Sequence, residues 1–295
     1  MTSPSLVILA AGLATRYGAL KQLAPVGPSG EALIEYAAYD ARRAGFARVV
    51  FVIRREIEDE FRRHVDGAIG DAWPVRYAFQ EQPAARKPWG AAHALLAARH
   101  LLEVPFAVAN ADDFYGADAY RRLYDCLTTP VPPVPSAPHY AVAGYRLDET
   151  LSPHGGVSRA TCALAGGFVV RIEEMSDVRR EGDAITGVGE SGARRPVDGE
   201  AIVCTNLWGF TPALFPTLER QVSGFIEAAG PDTAAELALS TALAEHVATG
   251  AARIRVLRPA GRCFGMTFRE DLPAVRRTIA QLVHDGAYPD DLATA

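Results

Sequence analysis

Two cations and two carboxylates stand where this sequence could do chemistry. Arg16 and Lys21 follow Leu6–Leu9, a short apolar run of the kind that forms a strand buried on both faces. Ala10, Ala11 and Gly12 lie between, three small residues that let a ligand approach the backbone closely. Two positive charges on a glycine-punctuated loop, beside exposed backbone N–H groups, suit a polyanion such as a nucleoside triphosphate. The competing reading is an ordinary strand-to-helix turn with two solvated cations. Gly12 to Gly18 does not spell G-x-G-x-x-G, and the loop is not G-x-x-x-x-G-K-[ST], so neither a dinucleotide-binding turn nor a Walker A loop is supported.

The carboxylates are Asp112 and Asp113, at the end of a predicted strand over Pro105–Ala109. Paired carboxylates near a triphosphate site supply hard oxygen ligands for Mg²⁺. Asp113 alternatively caps the helix expected from Ala117.

Leu9-Ala-Ala-Gly-x-x-Thr-Arg-x-Gly-x-x-Lys-Gln22 resembles the signature of the sugar-1-phosphate nucleotidyltransferases, the nucleotide-sugar pyrophosphorylases. Asn110-Ala-Asp-Asp-Phe-Tyr-Gly116 matches a second feature of that family. The resemblance is strongest over residues 5–120 and patchier beyond 150. It implies that Ala10, Ala11, Gly12 and Asp113 line the nucleotide site. It also implies that Arg16 holds the β- and γ-phosphates, that Lys21 bridges the α-phosphate and the incoming phosphate, and that Asp112 binds Mg²⁺. In the family a Gln and a later Gly read the edge of the base, which points to Gln80 or Gln82 with Gly90. The spacing does not choose between the two glutamines, and either could be a solvated loop residue. His93, on an Ala/Leu-rich helix, is expected to be a packing residue.

For the sugar, the resemblance implies Gly144, Gly156 and Glu174, with Asn206 expected to face the same site. Either glycine could equally serve a turn or a bulge. Two departures stand out. Met175 occupies the position where the family has a cation for the sugar phosphate. Gly265 occupies the position of the family's second magnesium ligand, leaving water, Asn206 or Glu270 for that role.

The elements that must position these residues alternate. A helix is expected over Glu31–Ala44, a strand over Arg48–Arg54, a helix over Glu56–Val65 and a strand over Val75–Phe79. Such alternation gives parallel pairing with right-handed crossovers and a site at the carboxyl ends of the strands. The proline-rich Thr128–Pro138 reads as an exposed connector. Farther on, Val157–Leu164 and Phe168–Ile172 read as a hairpin through Gly166-Gly167, Ala201–Phe210 as a core strand, and Thr233–Val247 as a helix.

Composition narrows the class. Hydrophobic content of 49% and charged content of 22% are those of a globular protein, and a net charge of −5 argues against a general nucleic-acid binder. Four scattered cysteines without C-x-x-C spacing fit a reducing cytoplasm. No signal peptide or membrane-spanning run is present. The expected fold is therefore α/β: a three-layer α/β/α sandwich with a mixed, mostly parallel sheet, of the glycosyltransferase-A-like nucleotidyltransferase kind. One domain is expected, with a nucleotide-binding half (1–127) and a sugar-phosphate-binding half (139–288). The expected reaction joins an NTP, UTP or dTTP by preference, to a sugar 1-phosphate, giving an NDP-sugar and pyrophosphate in the presence of Mg²⁺. Alternatives are a glycosyltransferase, a cytidylyltransferase acting on a non-sugar phosphate or phosphonate, and a catalytically silent nucleotide-sugar sensor. Homo-oligomer formation stays open, since an apolar helix face serves a core or an interface alike.

Overall fold

The computed structural model describes residues 3–12, 20–70, 73–81, 88–130, 137–230 and 235–294. Arg16 and Gln82 lie outside the described residues.

The apolar run at the N-terminus forms β1 (Ser5–Leu9), and Leu6, Val7 and Ile8 are fully buried. β2 (Arg48–Ile53), β3 (Val75–Phe79) and β4 (Phe106–Asn110) pair with it in the parallel order β4-β1-β2-β3. Register matters more here than order. Leu9 is level with both Val52 and Asn110, so β1 and β4 end together. The Ala10 N–H then reaches Val52 O at 2.8 Å and the Ala111 N–H reaches Leu9 O at 3.2 Å. Ala10–Gly12 and Ala111–Asp113 are thereby laid side by side at the top of the sheet.

Helices cover both faces. α1 (Leu33–Ala44), α2 (Glu58–Val65) and α4 (Ala117–Thr128) pack on one face through Ile34, Phe61 and Leu123. α3 (Ala91–Ala97), α5 (Phe215–Ala229) and α6 (Leu239–Ala248) pack on the other through Leu95, Leu218 and Leu243. α1 starts where Glu35 accepts the Ala32 N–H at 2.9 Å. It stops at Gly45, whose φ of 109° and N–H to Ala41 O close the last turn.

The sheet then changes character. β6 (His139–Arg146), β7 (Val157–Ala165), β8 (Phe168–Glu181), β9 (Ala184–Val188), β10 (Arg194–Pro196) and β11 (Ile202–Phe210) join mainly antiparallel, and β12 (Arg253–Leu257) runs parallel to β6. The sheet is mixed, as expected, but its parallel part is confined to β1–β4 and the β6–β12 pair. Short connections such as Gly166-Gly167 force antiparallel hairpins. β11 pairs antiparallel with β4, so both halves share one sheet.

Two details bear on the site. A bulge in β11 puts Asn206 at φ 70°, a left-handed conformation uncommon outside glycine. A small separate ribbon pairs β5 (Asp113–Phe114) with β13 (Phe264–Gly265), setting Gly265 opposite Asp113. Beyond it α7 (Leu272–His284) closes the chain against α1. α6 begins later than its sequence suggests, because Leu237 is taken up in pairing: its N–H goes to Trp89 O at 2.9 Å, and its carbonyl accepts the Ala92 N–H.

Candidate active site

A cavity of about 320 Å³ opens at the carboxyl ends of β1 and β4. Ala10, Ala11, Gly12, Asp112, Gln80 and Gly90 line it; of the other expected nucleotide-site residues, Asp113 does not line it, and Arg16 and Gln82 lie outside the described residues. Lys21 lines it as well, from a 3₁₀ turn over Lys21–Leu23. Its ammonium is ion-paired with Asp112 and donates to Met266 O at 3.3 Å. Lys21 and Asp112 side chains are 21% and 26% exposed, open enough for each to exchange its partner for a ligand.

Asp113 is held from behind. The Trp208 indole N–H donates to Asn206 Oδ1 at 2.8 Å, Asn206 Nδ2 to Asn110 Oδ1 at 2.9 Å, and Asn110 Nδ2 to Asp113 Oδ2 at 2.8 Å. The bulge at Asn206 aims its amide into this relay. Burial, and then the charge of Asp112, push the Asp113 carboxyl up from its ordinary range. Asn206 is therefore a positioning element for Asp113, engaged at both ends of its amide, and Glu270 is exposed. Asp113 also accounts for Gly265. A Cβ at 265 would stand 2.1 Å from Asp113 Oδ1, so the carboxylate of Asp113 occupies the space a side chain there would need.

Among the described residues no group of three or more His, Cys, Asp or Glu gathers as a metal cage. Asp112 and Asp113, one facing the cavity and the other beside it, match what Mg²⁺ asks of a protein in phosphate chemistry: one or two carboxylates, the remainder being substrate oxygens and water.

Gln80 and Gln22 form the polar floor. Gln80 is 4% exposed; its Nε2 donates to Gly90 O at 3.2 Å and meets His93 Nδ1 at 3.0 Å. His93 packs edge-on to Trp89, with ring centroids 5.0 Å apart, and burial lowers its pKa. The packing residue expected at 93 is thus also the partner of the expected base reader. The argument for UTP or dTTP rests on a glutamine that both donates and accepts toward the base. At Gln80 both amide N–H groups are engaged within the protein, so that argument does not hold for it. Gln22, 3% exposed, donates from Nε2 to Ala10 O at 2.9 Å, and its Oε1 is buried with no hydrogen-bond partner.

The expected sugar residues are more scattered. Glu174 accepts a hydrogen bond from Ser240 on α6, is pushed up by burial, and lines neither this cavity nor the second one described below. Gly144 has a packing reason: a Cβ there would meet Ile202 and Val256, each at 2.7 Å. Gly156 makes room for Asp177, whose Oδ1 would stand 1.9 Å from a Cβ. Met175 is fully buried, and Arg159 is its register partner across β7–β8. The Arg159 guanidinium donates to Thr150 Oγ1 at 3.0 Å and to Ser158 O at 2.8 Å. With Gly265 it lines a second cavity of about 110 Å³, and its charge acts on both Asp113 and Glu174.

Sequence reading assigned no role to Gln22, Arg159 or Glu236, which lines the main cavity. Gln22 was in view, as the last residue of the signature. Arg159 and Glu236 had no local signal: one is found through cross-strand register, the other through the extended path of 235–238.

Solved structures of similar fold agree with this architecture. An inositol-1-phosphate CTP transferase from T. maritima superposes with a TM-score of 0.62 at 14% identity, over 96% of this chain and 97% of that one. A putative glucose-1-phosphate thymidylyltransferase from Bacillus anthracis gives 0.63 at 14%, over 94% and 95%. A UDP-glucose pyrophosphorylase gives 0.61 at 17%, over 95% and 99%. At such identities the likeness is one of fold. No curated protein matches by sequence. The family model of the MobA-like NTP transferase domain matches residues 6–164, more than half of the chain and the whole stretch carrying Lys21, Gln80, Asp112 and Asp113, and by that match this protein belongs to the MobA-like NTP transferase family.

Proposed function

We propose that the protein transfers a nucleotidyl group from a pyrimidine nucleoside triphosphate to a sugar 1-phosphate, giving an NDP-sugar and pyrophosphate. The observation that carries this reading is the Lys21–Asp112 pair, partly exposed in the cavity between the ends of β1 and β4. In the proposed step a phosphate oxygen of the acceptor attacks the α-phosphorus in line. A new Pα–O bond forms as the bond to the β-phosphate oxygen breaks, and pyrophosphate leaves with the electron pair.

This chemistry needs positioning and charge stabilisation rather than covalent help. Lys21 contacts both the α-phosphate and the incoming phosphate, so its charge follows the negative charge that builds between them. Arg16, five residues before Lys21 in the sequence, holds the leaving pyrophosphate. Asp112, with Asp113 beside it, would hold Mg²⁺, which supplies charge neutralisation at the α-phosphate when bound. Arg159 supplies the cation for the acceptor phosphate that Met175 cannot, since it stands opposite Met175 and its field reaches Asp113. Gly12, the exposed residue of the Ala10–Gly12 run, leaves backbone open to the nucleotide.

The test is pyrophosphate release from a panel of nucleoside triphosphates and sugar 1-phosphates. Release that depends on both substrates supports the reading. Ligand binding without release would favour a silent sensor, and release only with a non-sugar phosphate would move the acceptor class.

A further inference from the structure

Lys21 is one of only two lysines in the chain, the other being Lys87. Its ammonium meets acceptors of two kinds: the Asp112 carboxylate, and Met266 O at 3.3 Å. A single acceptor leaves the end of a flexible four-carbon stem free to swing about it, and a second from another element fixes its direction. That second acceptor is itself held. The Met266 N–H donates to Asp112 O at 2.9 Å, and the Met266 side chain is 1% exposed in a cluster with Ala24, Val26, Phe114, Val275 and Ile279.

The same part of the chain holds the loop behind Lys21. The Ala24 N–H closes the 3₁₀ turn on Lys21 O at 3.1 Å, and the carbonyl of the next residue, Pro25, accepts from Arg276 Nε of α7 at 2.9 Å. Farther along, Ser29 Oγ donates to Asp290 O at 2.9 Å, and the Leu292 N–H reaches Glu31 Oε1 at 3.3 Å. Met266, Arg276, Asp290 and Leu292 all lie beyond residue 164, where the family match ends.

We propose that the C-terminal arm from Phe264 to Leu292 positions Lys21, with the Met266 carbonyl as the seat of the ammonium and Arg276 as the positioning residue that pins the loop behind it. A triphosphate can take the place of Asp112 at the ammonium, because both are anions competing for one cation. The main-chain carbonyl of a held ribbon stays, so Lys21 keeps its direction as its charge passes to the phosphates. This rests on the reading of Lys21 as the cation of the transfer step.

The experiment is acetylation of the full chain by N-hydroxysuccinimidyl acetate without substrates, read by peptide mass spectrometry with Lys87 as the internal reference. Arg276→Met keeps much of the stem and loses the bond to Pro25 O. Gly265→Ala displaces the ribbon, since its Cβ would stand 2.1 Å from Asp113 Oδ1, and carries the Met266 carbonyl with it. Each should raise Lys21 acetylation relative to Lys87 about fivefold, the worth of one hydrogen bond. Arg276→Met should also lower kcat about tenfold, with KM for the triphosphate within about twofold, and Arg276→Lys should restore most of both. Arg277→Met, exposed one residue along the same helix, is the control. Unchanged Lys21 acetylation in the folded Arg276→Met protein overturns the proposal. So does a rise in acetylation with kcat unchanged, or an equal rise in the control. If Gly265→Ala does not fold, Arg276→Met decides alone. A protein that releases pyrophosphate with no substrate pair fails the transfer reading, and the acetylation ratio then decides the seat by itself.

Discussion

Lys21 and Asp112, 91 residues apart in sequence, form an ion pair in the cavity. Each neutralises the other before any substrate is present. A triphosphate would draw Lys21 to its phosphates and free Asp112 for a cation, so one displacement readies both groups. Lys21→Ala should lower kcat by about 10²–10³, the usual effect of losing one preorganised charge contact at a transition state. The pair is partly exposed, so the melting temperature should move by no more than about 3 °C. A near-native rate in a folded variant removes Lys21 from the mechanism.

The two aspartates should separate in a magnesium titration. Asp112 faces the cavity, whereas Asp113 is tied to Asn110 at 2.8 Å. Asp112→Asn is expected to raise the Mg²⁺ concentration for half-maximal activity more than Asp113→Asn does. Asp113→Asn should chiefly lower the melting temperature, because the amide relay from Trp208 ends on its carboxylate. Identical titration curves, or the reverse order, contradict the assignment.

Arg159 should act on the acceptor alone. Arg159→Met is expected to raise KM for the sugar 1-phosphate by about 10- to 100-fold, the worth of one charged hydrogen bond, with KM for the triphosphate unchanged. Because Arg159 also braces Thr150, a Thr150→Val variant provides the control. If it reproduces the whole effect, the arginine is a brace and not a phosphate ligand.

Stability should depend on pH through Asp40, which lines neither cavity. Asp40 is 2% exposed, accepts the Tyr288 hydroxyl at 2.7 Å, and its Oδ1 has no partner. Burial pushes its carboxyl up to about 7, with the Tyr288 bond and Arg43 opposing that shift. The folded state then keeps a proton that the unfolded chain releases near pH 4. The stabilisation is fully present below that pH and is lost as pH rises through 7, up to about 4 kcal/mol in all. Urea unfolding at pH 5 and pH 8 should show a smaller loss for Asp40→Asn than for the natural chain. Equal losses would mean that Asp40 does not titrate in this range.

What the sequence made legible was local. Leu9–Gly12 and Asn110–Asp113 each announce a strand running into a loop, and buried parallel strands bring such ends together. Gln80 and Gly90 follow from the same logic beyond the end of β3, two strands out from β1. Arg159 was invisible because its meaning comes from standing opposite Met175, and a single sequence does not print register. The orientation of Gln80 was equally hidden: an amide's two faces differ only once Gly90 O and His93 are known to flank it. Gly144 reads as a ligand-approach glycine until Ile202 and Val256 fill the space. Asn206 was expected to face the sugar, and its bulge turns its amide toward Asn110, where it supports Asp113.

The crowding at Gly265 also constrains how this chain can change. A carboxylate at 113 and any side chain at 265 compete for the same volume, since the first atom added at 265 already stands 2.1 Å from Asp113 Oδ1. The two positions therefore behave as one inherited character with two forms. A lineage passing from this form to one with an acidic residue at 265 must shorten residue 113 first. In the opposite order the intermediate carries a steric clash against the Asp113 carboxylate. Gly265→Asp should be harmful in this background and only partly relieved by Asp113→Gly, because the Asp112 carbonyl oxygen would still stand 2.8 Å from the added Cβ.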